Sequence, residues 1–110
     1  MASAASKVQH SLKSMQFFIP FNQTKKAVLD YRLLKGGKIV DMHHTEVPVE
    51  LRGQGIAAKL CKEAFKYCQE NQLKVVTTCP YVQKYVNETA SESDKKLVVK
   101  QHGERHKDSI

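Results

Sequence analysis

An α/β domain on a mixed sheet is the fold class this sequence predicts: three antiparallel strands, an amphipathic helix, a parallel strand and a short helix. Two observations predict it. Apolar residues alternate with period two through the first half, and the period becomes helical after Leu51 before a β-rich run resumes at Leu73. A length of 110 residues leaves room for a single core.

The elements follow in order. Residues 15–21 are apolar enough for a short strand, and Asn22-Gln23-Thr24-Lys25 has turn chemistry. In the next strand Ala27, Leu29, Tyr31 and Leu33 share one parity, and Asp30 and Arg32 fall on the other, which predicts one buried face. Gly36-Gly37 supplies the positive φ of a tight turn, and residues 38–47 form the return strand. Across residues 51–69, Ala57, Leu60, Cys61, Ala64, Phe65 and Cys68 make a helical stripe opposite Lys59, Lys62, Glu63, Lys66 and Glu70. Asn71-Gln72 breaks that helix. Residues 73–79 alternate Leu73, Val75, Thr77 and Cys79 against Lys74, Val76 and Thr78, so strand, helix and strand form a right-handed crossover. Pro80 suits the first turn of a short helix through Tyr81 and Tyr85. Residues 1–14 are expected to be a disordered leader, 15–87 the domain, and 88–110 a polar tail that is disordered or loosely docked.

Composition narrows the function classes. No stretch approaches the length of a membrane span, and the N-terminus has no secretory apolar region, so an intracellular protein of cytoplasm or nucleus is expected. An acid-free N-terminus leaves a mitochondrial address open, although residues 1–14 contain no Arg. Cys61, Cys68 and Cys79 lack metal spacing and are odd in number, which points to reduced thiols. His43 and His44 are adjacent on a strand and face opposite ways, and Gly103 interrupts the His102/His106 spacing, so no metal site is expected. The net charge of +7 sits mainly in residues 1–37, with six Lys/Arg against one acid. Without interleaved aromatics beyond Phe17 and Phe18, which the pattern assigns to the core, nucleic acid is not the expected partner.

The chemistry concentrates where the second half of the sheet gives way to the helix. Arg52-Gly53-Gln54-Gly55-Ile56-Ala57 puts two glycines at a strand-to-helix passage, where free amide N–H groups and the positive helix end hold an anion. Arg52 adds a charge-assisted hydrogen bond. Neither the P-loop nor the dinucleotide fingerprint has this spacing, so another phosphate-bearing ligand is implied.

This segment matches the Arg/Gln-x-x-Gly-x-Gly/Ala signature, and residues 40–86, with His44-Thr45-Glu46-Val47-Pro48 and Thr78-Cys79 before Tyr81-Val82-Gln83-Lys84-Tyr85-Val86, resemble the minimal plant and bacterial members of the GNAT acetyltransferase superfamily. The resemblance implies acetyl-coenzyme A as co-substrate, held by Val47, Arg52, Gly53, Gln54, Gly55, Ile56 and Ala57. It also implies an amine acceptor, either a small molecule or a protein lysine or N-terminus. The strands ending at Val47 and Cys79 would splay, with the pantetheine arm between them. Glu46 or His44 would then take the amine proton, Tyr81 or Tyr85 would protonate the leaving thiolate, and Cys79 is a candidate nucleophile beside a helix N-terminus. Each has a plainer reading: Cys79 as a small core residue, Glu46 as a solvent-facing strand residue, the tyrosines as packing. The competing function is a module that binds coenzyme A without turnover, favoured by a chain too short to build a large acceptor pocket.

Overall fold

The computed structural model describes residues 7–99. A five-stranded sheet runs in the order β1 (Gln9–Ser11), β2 (Gln16–Pro20), β3 (Lys26–Leu34), β4 (Ile39–Glu46) and β5 (Lys74–Thr77). Neighbours from β1 to β4 are antiparallel, and β5 joins β4 in parallel. Between them runs helix α1 (Ile56–Glu70); α2 (Pro80–Glu88) and the one-turn α3 (Glu92–Lys95) follow β5. The mixed α/β class read from the sequence is the fold found, with one strand more than expected.

That extra strand corrects the leader. Gln9–Ser11 pairs with β2, and His10 stacks on Phe17 at 3.9 Å and meets the Tyr31 hydroxyl at 2.7 Å. A three-residue strand of polar sequence gives no period-two signal, and an aromatic cluster holds it in place. Residues 1–6 lie outside those described. The β3–β4 turn uses Gly36 and Gly37 at φ +67° and +91°, but Lys35 also takes φ +53°, so the turn is longer than a two-residue hairpin.

One face of the sheet carries the core. Phe17, Ile19, Leu29, Tyr31, Met42 and Val75 pack under α1, whose Ile56, Leu60, Cys61, Ala64, Phe65 and Cys68 are buried. Val82 and Tyr85 of α2 join the same cluster, with the Tyr85 ring 5.9 Å from Phe65. Burial of Phe65 alone contributes about 2–3 kcal/mol. Three expectations change here. Leu33 shares its parity with the core residues but is exposed near the strand end, and Phe18 lies on the other face, its ring under the Lys26 ammonium at 4.9 Å. The helix starts at Ile56 rather than at residue 51, because Gly53 and Gly55 take positive φ and a short 3-10 turn occupies Val49–Leu51.

The opposite face contributes nothing to that cluster. Asp41, on this side, is 3% exposed and accepts from Arg32 Nε at 3.0 Å and Thr78 Oγ1 at 2.8 Å, fastening β3, β4 and the end of β5. The polar tail is docked as far as it is described. Ser91 Oγ caps α3, Gln69 Nε2 donates to the buried Asp94, and Leu97 to Val99 lie along the outer edge of β5, where Val75 N–H donates to Leu97 O and Val99 N–H to Val75 O. Residues 100–110, including His102 and His106, lie outside the described part.

Candidate active site at the β4–β5 divergence

The ladder between β4 and β5 runs from Ile39 opposite Lys74 to Met42 opposite Thr77, and then stops. Pro80 at the first position of α2 cannot continue the ladder, so the chain turns away after a last bond from Cys79 N–H to Met42 O at 3.1 Å. Four residues of β4 therefore have no parallel neighbour beyond Met42. A gap opens between the strands.

A β-bulge decides which backbone groups face that gap. The carbonyls of Lys38 and Met42 accept from the β5 side at 3.1 Å each, so even-numbered residues point their backbone groups that way before the bulge. Register shifts between Asp30/Tyr31, with Asp30 opposite His44 but Tyr31 opposite Met42. The added residue reverses the parity, so Thr45 and Val47 turn their N–H groups to the gap. It also leaves Thr45 on the helix side of the sheet and His44 and Glu46 on the open side.

The N-terminal end of α1 borders the same gap. Gly55, at φ +74° and ψ 18°, occupies the N-cap with no side-chain hydrogen bond, and the first bond of the helix runs from Lys59 N–H to Gly55 O at 3.1 Å. The N–H groups of Ile56, Ala57 and Ala58 precede that bond and point out of the helix end. A Cβ built on Gly53 or Gly55 would meet nothing within 4 Å, so the space against this backbone is open. Arg52 Nε donates to Val47 O at 2.9 Å, tying the glycine turn to the end of β4. Val47, Arg52, Gly53, Gly55, Ile56 and Ala57 all line one cavity of about 330 Å³. Gln54 does not: its side chain donates to Glu50 O at 3.4 Å. This donor set, backbone N–H groups with one guanidinium and positive glycine φ, fits the diphosphate of coenzyme A.

The five catalytic candidates separate into four places. Tyr81 lines the cavity, and its phenol is pushed up by burial first, then by Cys61 and Glu88. Cys79 caps α2, is 5% exposed, and its Sγ lies 3.6 Å from Thr45 Oγ1. Glu46 and His44 are on the open face, with Oε1 and Nε2 3.7 Å apart and side chains 69% and 50% exposed; Glu46 also borders the cavity. Tyr85 is elsewhere. It is buried against Phe65, and its phenol rises to about 12 through burial and the nearby Asp94, Cys61 and Tyr81. Burial likewise holds the thiols of Cys61 and Cys68 up at about 12.

Thr45 was not among the sequence candidates, although it touches both the cavity and Cys79. Unbroken strand parity from Val40 and Met42 would put it on the open face; only the bulge brings it to the helix side and turns its backbone groups to the gap. A second, larger groove of about 690 Å³ lies on the open face and shares Glu46, Val47 and Arg52 with the first.

A sheet whose parallel strands part beside a glycine-rich helix start is an acyltransferase-type scaffold, and known proteins share it. The family model described as GCN5-related N-acetyl-transferase matches residues 16–95, and the chain belongs to that family. Among its relatives is the protein called Protein NATD1, which in Xenopus tropicalis is 45% identical over 87 residues, covering 78% of this chain and 79% of its own. The Homo sapiens Protein NATD1 is 45% identical over 83 residues, covering 74% and 73%. The solution structure of a GCN5-like protein from Staphylococcus aureus superposes with a TM-score of 0.68 at 23% identity over 91% of this chain and 94% of that one, a likeness of fold.

Proposed function

We propose that the chain binds acetyl-coenzyme A and transfers its acetyl group to an amine. The observation that carries this reading is the convergence of two sets of backbone donors on one cavity: the N–H groups of Thr45 and Val47 along the free edge of β4, and those at the start of α1. Acetyl-coenzyme A supplies the acetyl group in activated form, as a thioester. Gly53, Gly55, Ile56 and Ala57 hold the diphosphate through their backbone, with Arg52 as the cation. Gln54, whose side chain is turned to Glu50, contributes backbone only.

An amine is an ammonium at neutral pH and must lose a proton before its nitrogen can attack. Glu46, with His44 beside it, is the acceptor of that proton, directly or through water. The Val47 N–H stabilises charge on the acyl oxygen. Tyr81, kept protonated by its surroundings, is the donor for the leaving thiolate; buried Tyr85 takes a packing role. Cys79, held by Thr45 at the cavity's edge, positions the end of β4 and is the alternative nucleophile. The acceptor enters from the open-face groove, so the two substrates approach from opposite sides of the sheet.

A reading without turnover draws on the exposure of Glu46 and His44, which leaves both bases hydrated. Three free cysteines suit a reducing, intracellular compartment, and no helix among the described residues is long and apolar enough to cross a membrane.

Calorimetric titration of acetyl-coenzyme A into the wild type and a Gly55→Glu variant tests the proposal, followed by thioester consumption with an amine panel. Saturable binding that the variant loses, with acceptor-dependent release of free thiol, is the expected result. Wild-type protein that binds no acetyl-coenzyme A would overturn it, and binding with no turnover of any amine would leave the module that binds without transfer.

A further inference from the structure

The open-face groove has a charge pattern set by strand register. Gln16, Asp30 and His44 stand opposite one another across β2, β3 and β4, and Phe18, Val28 and Glu46 form the adjacent row. Asp30 is half-buried and accepts from Gln16 Nε2 through Oδ1 at 2.8 Å. No cation pairs with it among the described residues.

The cations on either side are already engaged. Toward the strand ends, Lys25 pairs with Glu50 at 2.9 Å and Lys26 lies over the Phe18 ring. In the other direction, past the bulge, Arg32 pairs with the buried Asp41. Asp30 is therefore a floor carboxylate open to a cationic ligand, bracketed by protein cations that repel a ligand charge placed further along either way.

We propose that Asp30 selects the acceptor and that the groove takes a linear primary diamine, one nitrogen at Glu46 beside the acyl site and the distal ammonium on Asp30. This rests on the transferase reading given above. Asp30 and Glu46 are diagonal neighbours across β3 and β4, a relation that separates residues by about 7–8 Å. The nitrogens of an extended diamine with four or five methylene groups lie about as far apart as these two residues, so each can sit over its own carboxylate, whereas with three they lie closer together and the fit is poorer. A polybasic peptide would set further charges against Lys26 and Arg32, so the pattern favours the small diamine.

The test is calorimetric titration of 1,5-diaminopentane, 1,3-diaminopropane and 1-aminopentane into the full chain, with and without saturating coenzyme A, for the wild type and Asp30→Asn. Asparagine keeps an oxygen for the Gln16 hydrogen bond, and Asp30→Glu, which keeps the charge, serves as the second variant. The wild type should bind 1,5-diaminopentane about tenfold more tightly than either other amine, a difference of about 1.4 kcal/mol. Asp30→Asn should level the three affinities, and Asp30→Glu should retain part of the preference. Equal affinities in the wild type, or a preference that survives Asp30→Asn, would overturn the proposal. Failure of coenzyme A to bind would instead sink the transferase reading, and the titrations without it would still decide whether Asp30 selects a diamine.

Discussion

Replacing Gly55 with alanine, alongside Gly36→Ala as a matched control, separates backbone strain from ligand contact. Both glycines adopt the left-handed conformation, at φ +74° and ψ 18° for Gly55 and φ +67° and ψ 25° for Gly36, and an added Cβ meets nothing within 4 Å at either. The folded-state penalty is thus the same, about 1–2 kcal/mol for an L-residue in this region. Lower entropy of the unfolded chain offsets about 0.4–1 kcal/mol of it. The net loss of roughly 1 kcal/mol should lower the melting temperature of each variant by about 4–8 °C. Ligand binding should divide them. The Gly55 Cβ projects into open space beside the cavity lined by Gly53 and Ile56, whereas Gly36 sits in the β3–β4 turn outside it. Scanning calorimetry gives the melting shifts, and titration of acetyl-coenzyme A gives affinity: Gly55→Ala should weaken binding at least tenfold and Gly36→Ala leave it within a factor of two. Equal affinities for the two variants would refute the assignment of the diphosphate to this turn.

Other perturbations probe separate parts of the molecule. Asp41→Ala strands Thr78 Oγ1 and the Arg32 guanidinium, and urea denaturation should show a loss of about 1–3 kcal/mol, with the exposed arginine holding it to the lower half. Burial depresses the His10 imidazole below its usual 6.5, so the unfolded chain takes up a proton first as pH falls. Its contribution to stability should be complete above pH 6.5 and decline as pH drops through the lower folded value; His10→Phe should remove that part of the pH dependence in denaturation curves. Tyr81→Phe should reduce kcat about 10²-fold or more if its hydroxyl protonates the thiolate, while Tyr85→Phe, altering a core residue, should change melting more than turnover.

Strong periodicity made much of the fold legible. The α1 stripe from Leu60 to Cys68 is buried as the pattern implies, and Gly53 and Gly55 bend the chain where the motif lies. What escaped the sequence depends on contacts between distant residues. β1 is held by His10 against Phe17, Tyr31 and Tyr67, which no local window reveals. Leu33 obeys the alternation and is still exposed, although its cross-strand partner Val40 is buried. At the candidate site, the glycine turn was visible, but which of the two neighbours Thr45 and Glu46 takes the helix side and which the open face was decided by the bulge opposite Asp30/Tyr31. For the same reason the row joining Gln16, Asp30 and His44 could not be read without the pairing register.

The strip of chain from Leu97 to Val99 along β5 has a bearing on how copies of this protein meet. Unsheathed, that margin would present Val75 and Val76 as a ready template for a strand from another molecule. A version cut after Glu88 would keep the glycine turn and helices α1 and α2 but lose α3, and would carry a sticky border. Its failing would show as self-association at high concentration before any loss of ligand affinity.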